Sequence, residues 1–508
     1  MIRVPATRPS AKRAPLRYAF ATTLLMLAFT ASSVGAAVGP KMLKDVNVSG
    51  DAEPRGFSAL GSSVLFSASS ATHGDELWKT NGTTAGTKML VDINPNGDSE
   101  PRGFFKVGTK LYFEADDGVH GRELWKTDGT AAGTKMVKDI NAANGVGSIE
   151  DGFWKLGSLI FFYADDGIHG VELWKSDGTA KGTKMLKDIY AGSGSSDECC
   201  PEIVGGALVF LAFDGSEFAV WRSTGTSAGT TIVENLGPEE PDGGAVAGGK
   251  LFFVKNDGSA DILYVTGGTA ASTDDLIELE GIHYMAPMGS GMFFMGDDGA
   301  SGREPWFSDG TSGGTEMLAD IMTGPDGSEP RPWNSEGLVG GKILFQATDL
   351  ASGRELWATD GTPAGTDFVE DINPGPLADS GDASNFNDLV GGKLYFIVDD
   401  GTHGEEPWIS DGTAAGTKLL MDIMPGSATS DASDGEVLNG FLYFPAENLI
   451  NGREMWRTNG TPTGTRRIGD INPGSGSSNP HSFRAVGGTL YFDAADATHG
   501  SEPWKYVP

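Results

Sequence analysis

Only two cysteines occur in the 508 residues, Cys199 and Cys200, and they are neighbours. Adjacent cysteines cannot tie distant segments together, so no disulfide framework supports this fold. The pair can close on itself as a vicinal disulfide, stay as thiols or link two chains. It offers too few ligands at the right spacing for a metal site. Positive charge is also scarce: 37 Lys+Arg against 69 Asp+Glu leave a formal charge of −32. A phosphate backbone needs a basic face, so nucleic-acid partners are excluded. Helical periodicity is missing from the body of the chain, which argues against α and α/β classes. No GxSxG elbow, HExxH pair, P-loop or dinucleotide fingerprint stands in the strand-to-helix context its chemistry requires.

What is present begins with a leader. Arg3, Arg8, Lys12, Arg13 and Arg17 form a cationic stretch without an acid, and Tyr18 to Ala31 is apolar. Val34-Gly35-Ala36-Ala37 supplies the small residues that signal peptidase accepts. Residues 1–36 are therefore expected to be a signal peptide cleaved near Ala36, giving a secreted or cell-surface product. Nothing later approaches the roughly 18 apolar residues of a membrane helix, so no membrane span is expected after its removal.

The body of the chain is a repeat. Trp recurs at 78, 125, 174, 221, 306, 357, 408, 456 and 504, with Tyr264 filling the one gap, at a mean spacing of about 47 residues. Residues 101–141 show the plan. Four short runs rich in aromatic and β-branched residues (FFKV, KLYFEA, ELWKT, KMVKDI) are separated by Gly- and Asp-containing turns. Four antiparallel strands per unit is the pattern of a propeller blade. Residues 37–508 are expected to form an all-β propeller of about ten four-stranded blades, with two five-bladed propellers as the alternative. The repeats then occupy the whole mature chain and leave no room for an appended catalytic domain. PKMLKDV (40–46) reads as a fourth strand, whereas the C-terminal unit stops after three. The N-terminal strand is expected to complete the last blade and remove two open edges.

ELWKTDGT (123–130), ELWKSDGT (172–179) and ELWATDGT (355–362) resemble the bacterial tandem-repeat family named for its ELWxxDGT motif. ELWKTNGT (76–83), EPWFSDGT (304–311), EPWISDGT (406–413) and EMWRTNGT (454–461) are near matches. The resemblance covers essentially all of the mature chain. It implies a secreted or surface-associated bacterial protein and carries no catalytic residues to transfer. The units around Trp221 and Tyr264 depart from the pattern.

Groups that recur in nearly every unit read as structural. His73, His120, His169, His403 and His499 share one position with Ser301, Ser352 and Asn451, so a turn-stabilising role is expected. The pairs Asp116-Asp117, Asp165-Asp166, Asp297-Asp298 and Asp399-Asp400 read as turn caps. A hard cation such as Ca²⁺ needs six to eight oxygens, more than one loop supplies, so no metal ligand is assigned. The Glu before Leu/Pro/Met-Trp and the Asp of the KDI strand are expected to bridge strands by hydrogen bonds or salt bridges, as are Arg55, Arg102, Arg331 and Arg484. An active site breaks symmetry. The asymmetric places are the units spanning 199–287, the loop 374–388 and the non-repeat Trp154 and Trp333, of which Trp333 with Arg331 is the candidate ligand contact. The functional expectation is a non-enzymatic binding or adhesion module recognising an extracellular protein or glycan. The alternative is a secreted propeller hydrolase or lyase acting on polysaccharide.

Overall fold

The computed structural model describes residues 39–142, 149–196, 199–256, 258–333, 337–374 and 389–508. The expected leader, and the loop 374–388 apart from Pro374, lie outside the described residues. Among the described residues there is no α-helix. The strands form eight four-stranded sheets and one seven-stranded sheet, antiparallel throughout. The larger sheet is two units fused by one strand, Thr273–Met288. Its first half pairs with Asp261–Thr266 and its second half with Gly291–Asp297. Each unit is numbered below by its Trp, from repeat 1 (Trp78) to repeat 10 (Trp504), with Tyr264 marking repeat 5.

Local chemistry explains why each unit folds alone into four strands. In repeat 2 these are Arg102–Val107, Lys110–Asp116, Arg122–Thr127 and Lys135–Lys138. The turn DGTAAGT between the last two is specified residue by residue. Asp128 Oδ1 accepts from Thr130 N and Oγ1 at 2.9 and 2.7 Å, and Thr130 Oγ1 accepts from Gly133 N at 3.0 Å. Thr127 and Thr134 join their hydroxyls at 2.7 Å across the strand ends. Gly129 sits at φ 85°, where a side chain is strained. A Cβ at Gly133 would collide with the Asp128 carboxylate.

Packing then runs from unit to unit. Leu65, Leu77 and Ile93 of repeat 1 share a buried layer with Leu111, Phe113 and Trp125 of repeat 2, and nine further layers of this kind are formed among the described residues. One of them joins Leu43, Val46 and Tyr491 of repeat 10 to Phe57, Phe66 and Trp78 of repeat 1. Polar contacts follow the same order. The motif lysine of one repeat donates to the turn glycine carbonyl of the next: Lys79 to Gly129 at 2.9 Å, Lys126 to Gly178, Lys175 to Gly225, and Lys505 back to Gly82 at 2.6 Å. Lys138 at the end of one fourth strand and Lys187 just past another lie over Trp174 and Trp221 of the following units, and Lys44 lies likewise over Trp78. The N-terminal strand pairs Lys41 with Lys505 and Met42 with Trp504, which completes the last sheet as expected.

Candidate functional site

The repeated polar residues are taken up by the scaffold. Glu76, Glu172, Glu304 and Glu502 are wholly buried, and each carboxylate binds the chain just past the fourth strand. Glu76 accepts from Ile93 N at 2.7 Å, Asn94 N at 3.1 Å and Ser99 Oγ at 2.7 Å. Glu502 accepts from Val46 N and Asn47 N at 2.7 and 3.1 Å, across the junction of the two chain ends. Desolvation outweighs these bonds and pushes Glu76, Glu406 and Glu502 up to about 7. The KDI aspartates do not follow the sequence expectation uniformly. Asp470 pairs with Arg467 at 3.0 Å, whereas Oδ1 of Asp45, Asp92, Asp139, Asp188, Asp371 and Asp422 is buried without a hydrogen-bond partner.

The histidines close turns. His120 Nδ1 meets Asp117 Oδ2 at 2.7 Å while its backbone N–H donates to Asp117 Oδ1 at 2.9 Å, and His169, His403 and His499 repeat the arrangement. Oδ1 of Asp116 accepts from Gly118 N at 2.7 Å, so both acids of the pair cap the turn. Among the described residues no three His, Cys, Asp or Glu side chains converge as a metal-binding set. The hydrogen bond to Asp117 raises the His120 pKa above 6.5. Its contribution is complete below the unfolded pKa and is lost as pH rises through the folded one. The His120→Ala variant is therefore expected to lose less than about 1 kcal/mol, since the ring is partly exposed. The loss should be larger at pH 5.5 than at pH 8 in paired thermal melts; an equal loss at both would remove the ion-pair explanation.

The asymmetric residues singled out in the sequence fare differently. Trp333 is a correction: it is 2% exposed, packs on Phe396 at 5.0 Å between repeats 7 and 8, and donates from Nε1 to Gln346 Oε1 at 3.1 Å. A buried indole with its N–H satisfied is core and touches no ligand. Arg331 lies with its guanidinium 5.6 Å from the ring of Tyr284 in repeat 6. Cys199 and Cys200 are bonded to each other at the start of the first strand of repeat 4, beside Gly244 of repeat 5.

Symmetry is broken most clearly elsewhere. The residue after the buried Phe of each second strand is apolar in most repeats, for example Leu211, Val254, Met295 and Ile397. It is polar in four: Gln346 in repeat 7, which faces Arg331, and Asp493, Ser67 and Glu114 in the consecutive repeats 10, 1 and 2. Directly across the ladder on the first strand these last three face His481, Arg55 and Arg102. Arg102 Nε meets Glu114 Oε2 at 3.0 Å, and His481 Nε2 meets Asp493 Oδ2 at 3.2 Å. In repeat 1 the acid has moved to the third strand, where Asp75 binds both Ser67 and Arg55. Repeat 10 shows the swapped arrangement, with Ser501 donating to Asp493 Oδ1 at 2.6 Å. Asp493 is wholly buried, and desolvation raises it to about 6 against the pull of Ser501 and His481.

A bulge opens each of these first strands just past Arg55, Arg102 or His481, so that Gly56, Gly103 and Ser482 take φ of 68°, 66° and 54°. The opening leaves a cavity of about 430 Å³ lined by Arg55, Arg102 and Arg484 together with Phe57, Phe104 and Phe483. The side chains of Arg55 and Arg102 remain 44% and 49% exposed while each also binds a buried acid. Among the described residues Arg484 forms no ion pair and is exposed. A second cavity of about 560 Å³, lined by Asp51, Glu53, His481 and Asp493, shares Arg55 and Ser482 with the first. Sequence reading missed this cluster because its members lie at the two ends of the chain. Aligning the ten second strands at the residue after Phe would have exposed it.

No family model matches the chain, and no curated protein sequence does. Among solved structures it is similar to puromycin hydrolase (15% identity, 67% of this chain and 57% of that one, TM-score 0.31). A structure from a study of two prolyl endopeptidases matches at 13% identity over 61% of this chain and 50% of that one, TM-score 0.33. The β-propeller domain of the Trilobed protease from Pyrococcus furiosus matches at 11% identity over 61% and 94%, TM-score 0.28. The chain spans about 57–61% of the length of the puromycin hydrolases it matches. These neighbours are peptidases or a peptidase's propeller domain, which runs against the expected non-enzymatic adhesion module and gives no support to its polysaccharide-directed alternative. At such low TM-scores no residue role is carried across. What the comparison and the sheets together establish is an all-β fold of repeated antiparallel sheets with propeller-like neighbours.

Proposed function

We propose that the chain is an exported member of the ELWxxDGT repeat proteins, folded as a single closed propeller of ten blades. In this reading it takes a carboxylate-bearing ligand into the cavity where blades 10, 1 and 2 meet. The layer joining repeats 10 and 1, and the lysine contacts that obey the same order there as elsewhere, favour one ring over two five-bladed ones. The observation that carries the functional reading is the convergence of Arg55, Arg102 and Arg484 on one cavity in a strongly acidic chain. Guanidinium forks match carboxylate geometry, and the three phenylalanines beside them supply apolar contact.

Arg484→Ala is the clean test, because that side chain holds no buried acid in place. Titrating the protein with phenylacetate and glutarate by calorimetry should show saturable binding. Losing one charge-assisted hydrogen bond, about 1.5–3 kcal/mol, should weaken it tenfold or more without changing the melting temperature. Absence of saturable binding, or equal binding by the variant, overturns the proposal.

A further inference from the structure

The two cavities carry opposite charge and adjoin at Arg55 and Ser482, which line both. On one side stand the guanidiniums of Arg55, Arg102 and Arg484. On the other, Asp51 and Glu53 are exposed, and His481 and the buried Asp493 line the same cavity. Asp51 is held in place, since its Oδ1 accepts from Ser501 N at 2.8 Å. Glu53 stands at φ 46°, the turn geometry that the equivalent Glu100 and Glu329 adopt at 43° and 50°. Arg55 is oriented between the two cavities by its contact with Asp75.

We infer that the two cavities form one dipolar groove for a peptide segment, with an acidic side chain or terminus among the arginines and a basic side chain at Asp51 and Glu53. This inference rests on the carboxylate-site reading and adds the second subsite. The chemistry selects a peptide, because a polypeptide sets carboxylate and ammonium or guanidinium groups a few residues apart. An acidic polysaccharide carries one sign only and would meet Asp51 and Glu53 with repulsion. Electrostatic complementarity of this kind governs register and partner choice.

The probes are a blocked peptide with one glutamate and, two residues later, one lysine; the same peptide with glutamine in place of the lysine; and trigalacturonate. All are titrated against the full mature chain and against Glu53→Gln and Arg484→Ala. The lysine is expected to improve affinity by about five- to tenfold in the unaltered protein and by less than twofold in Glu53→Gln, a coupling that a merely structural role of Glu53 would not produce. Arg484→Ala should weaken both peptides equally. A lysine effect that survives Glu53→Gln, or trigalacturonate binding as tight as the lysine peptide, overturns the dipolar groove while the carboxylate site stands. If no probe binds and Arg484→Ala changes nothing, both readings fall.

Discussion

Deleting Lys41–Val46 is expected to abolish the monomeric native state or lower its stability by 5 kcal/mol or more. The segment supplies the fourth strand of the last sheet, with Lys41 and Met42 paired to Lys505 and Trp504 and Leu43 N donating to Pro503 O at 2.8 Å. Leu43 and Val46 are 2% and 7% exposed in the layer between repeats 10 and 1, and burying each contributes about 1.5–3 kcal/mol. Loss of Val46 N also strips a hydrogen-bond donor from the wholly buried Glu502 carboxylate, at about 1–3 kcal/mol. The exposed edge of the last sheet then becomes a template for pairing between molecules. Size-exclusion chromatography and thermal melting of the deletion variant check this, and a synthetic peptide of residues 39–47 should restore the monomer in part. A deletion variant that melts and elutes like the intact mature chain would refute the closing role of this strand.

Stability is expected to peak on the acid side of neutrality and fall between pH 5 and pH 8. Glu76, Glu406 and Glu502 ionise at about 7 in the folded chain against an ordinary 4.5, and burial raises Glu172, Glu304 and Glu454 as well. Between these two values the folded state binds more protons than the unfolded one, so stability drops as pH rises. A displacement from 4.5 to about 7 corresponds to roughly 3 kcal/mol for each of the three fully buried glutamates. His120, His169, His403 and His499, raised by their aspartates, lose their contribution in the same direction. Asp117, Asp166, Asp400 and Asp496 are lowered, so theirs fails only in stronger acid, as pH falls through their folded values. The expected fall in melting temperature from pH 5 to pH 8 is on the order of 10 °C. Glu76→Gln should flatten the profile whatever its absolute offset, because glutamine takes up no proton. A melting temperature that climbs towards pH 8 would contradict the placement of these glutamates.

The four-strand unit, the hairpin turns and the pairing of the chain's first strand with its last sheet were legible because they rest on local chemistry that recurs. Asp128, Gly129, Thr130, Gly133 and Thr134 specify one turn, and the same letters specify the equivalent turn in most repeats. The motif glutamates were rightly read as structural: Glu76 and Glu454 bind backbone 17 residues on, and Glu502 makes the same contact with the chain's first segment. Trp333 misled because its absence from the repeat was read as a sign of ligand contact, whereas Gln346 on the adjoining strand satisfies its indole N–H and Phe396 of the next sheet covers the ring. The KDI aspartates misled in the opposite sense, since repetition implied a bonding role that six of them do not fill through Oδ1.

The amino-acid sequence by itself determined the all-β class, the four-strand plan of the unit and the order of the units. Hydrophobic alternation and turn chemistry act over a few residues and need no tertiary context. The arginine cavity was decided by tertiary structure alone. His481 and Arg484 are separated from Arg55 and Arg102 by nearly the whole chain. They become neighbours because Lys41–Met42 pairs with Gly500–Tyr506 and brings repeat 10 against repeat 1. No spacing rule encodes that adjacency, since it depends on each sheet burying its face against the next until the last meets the first.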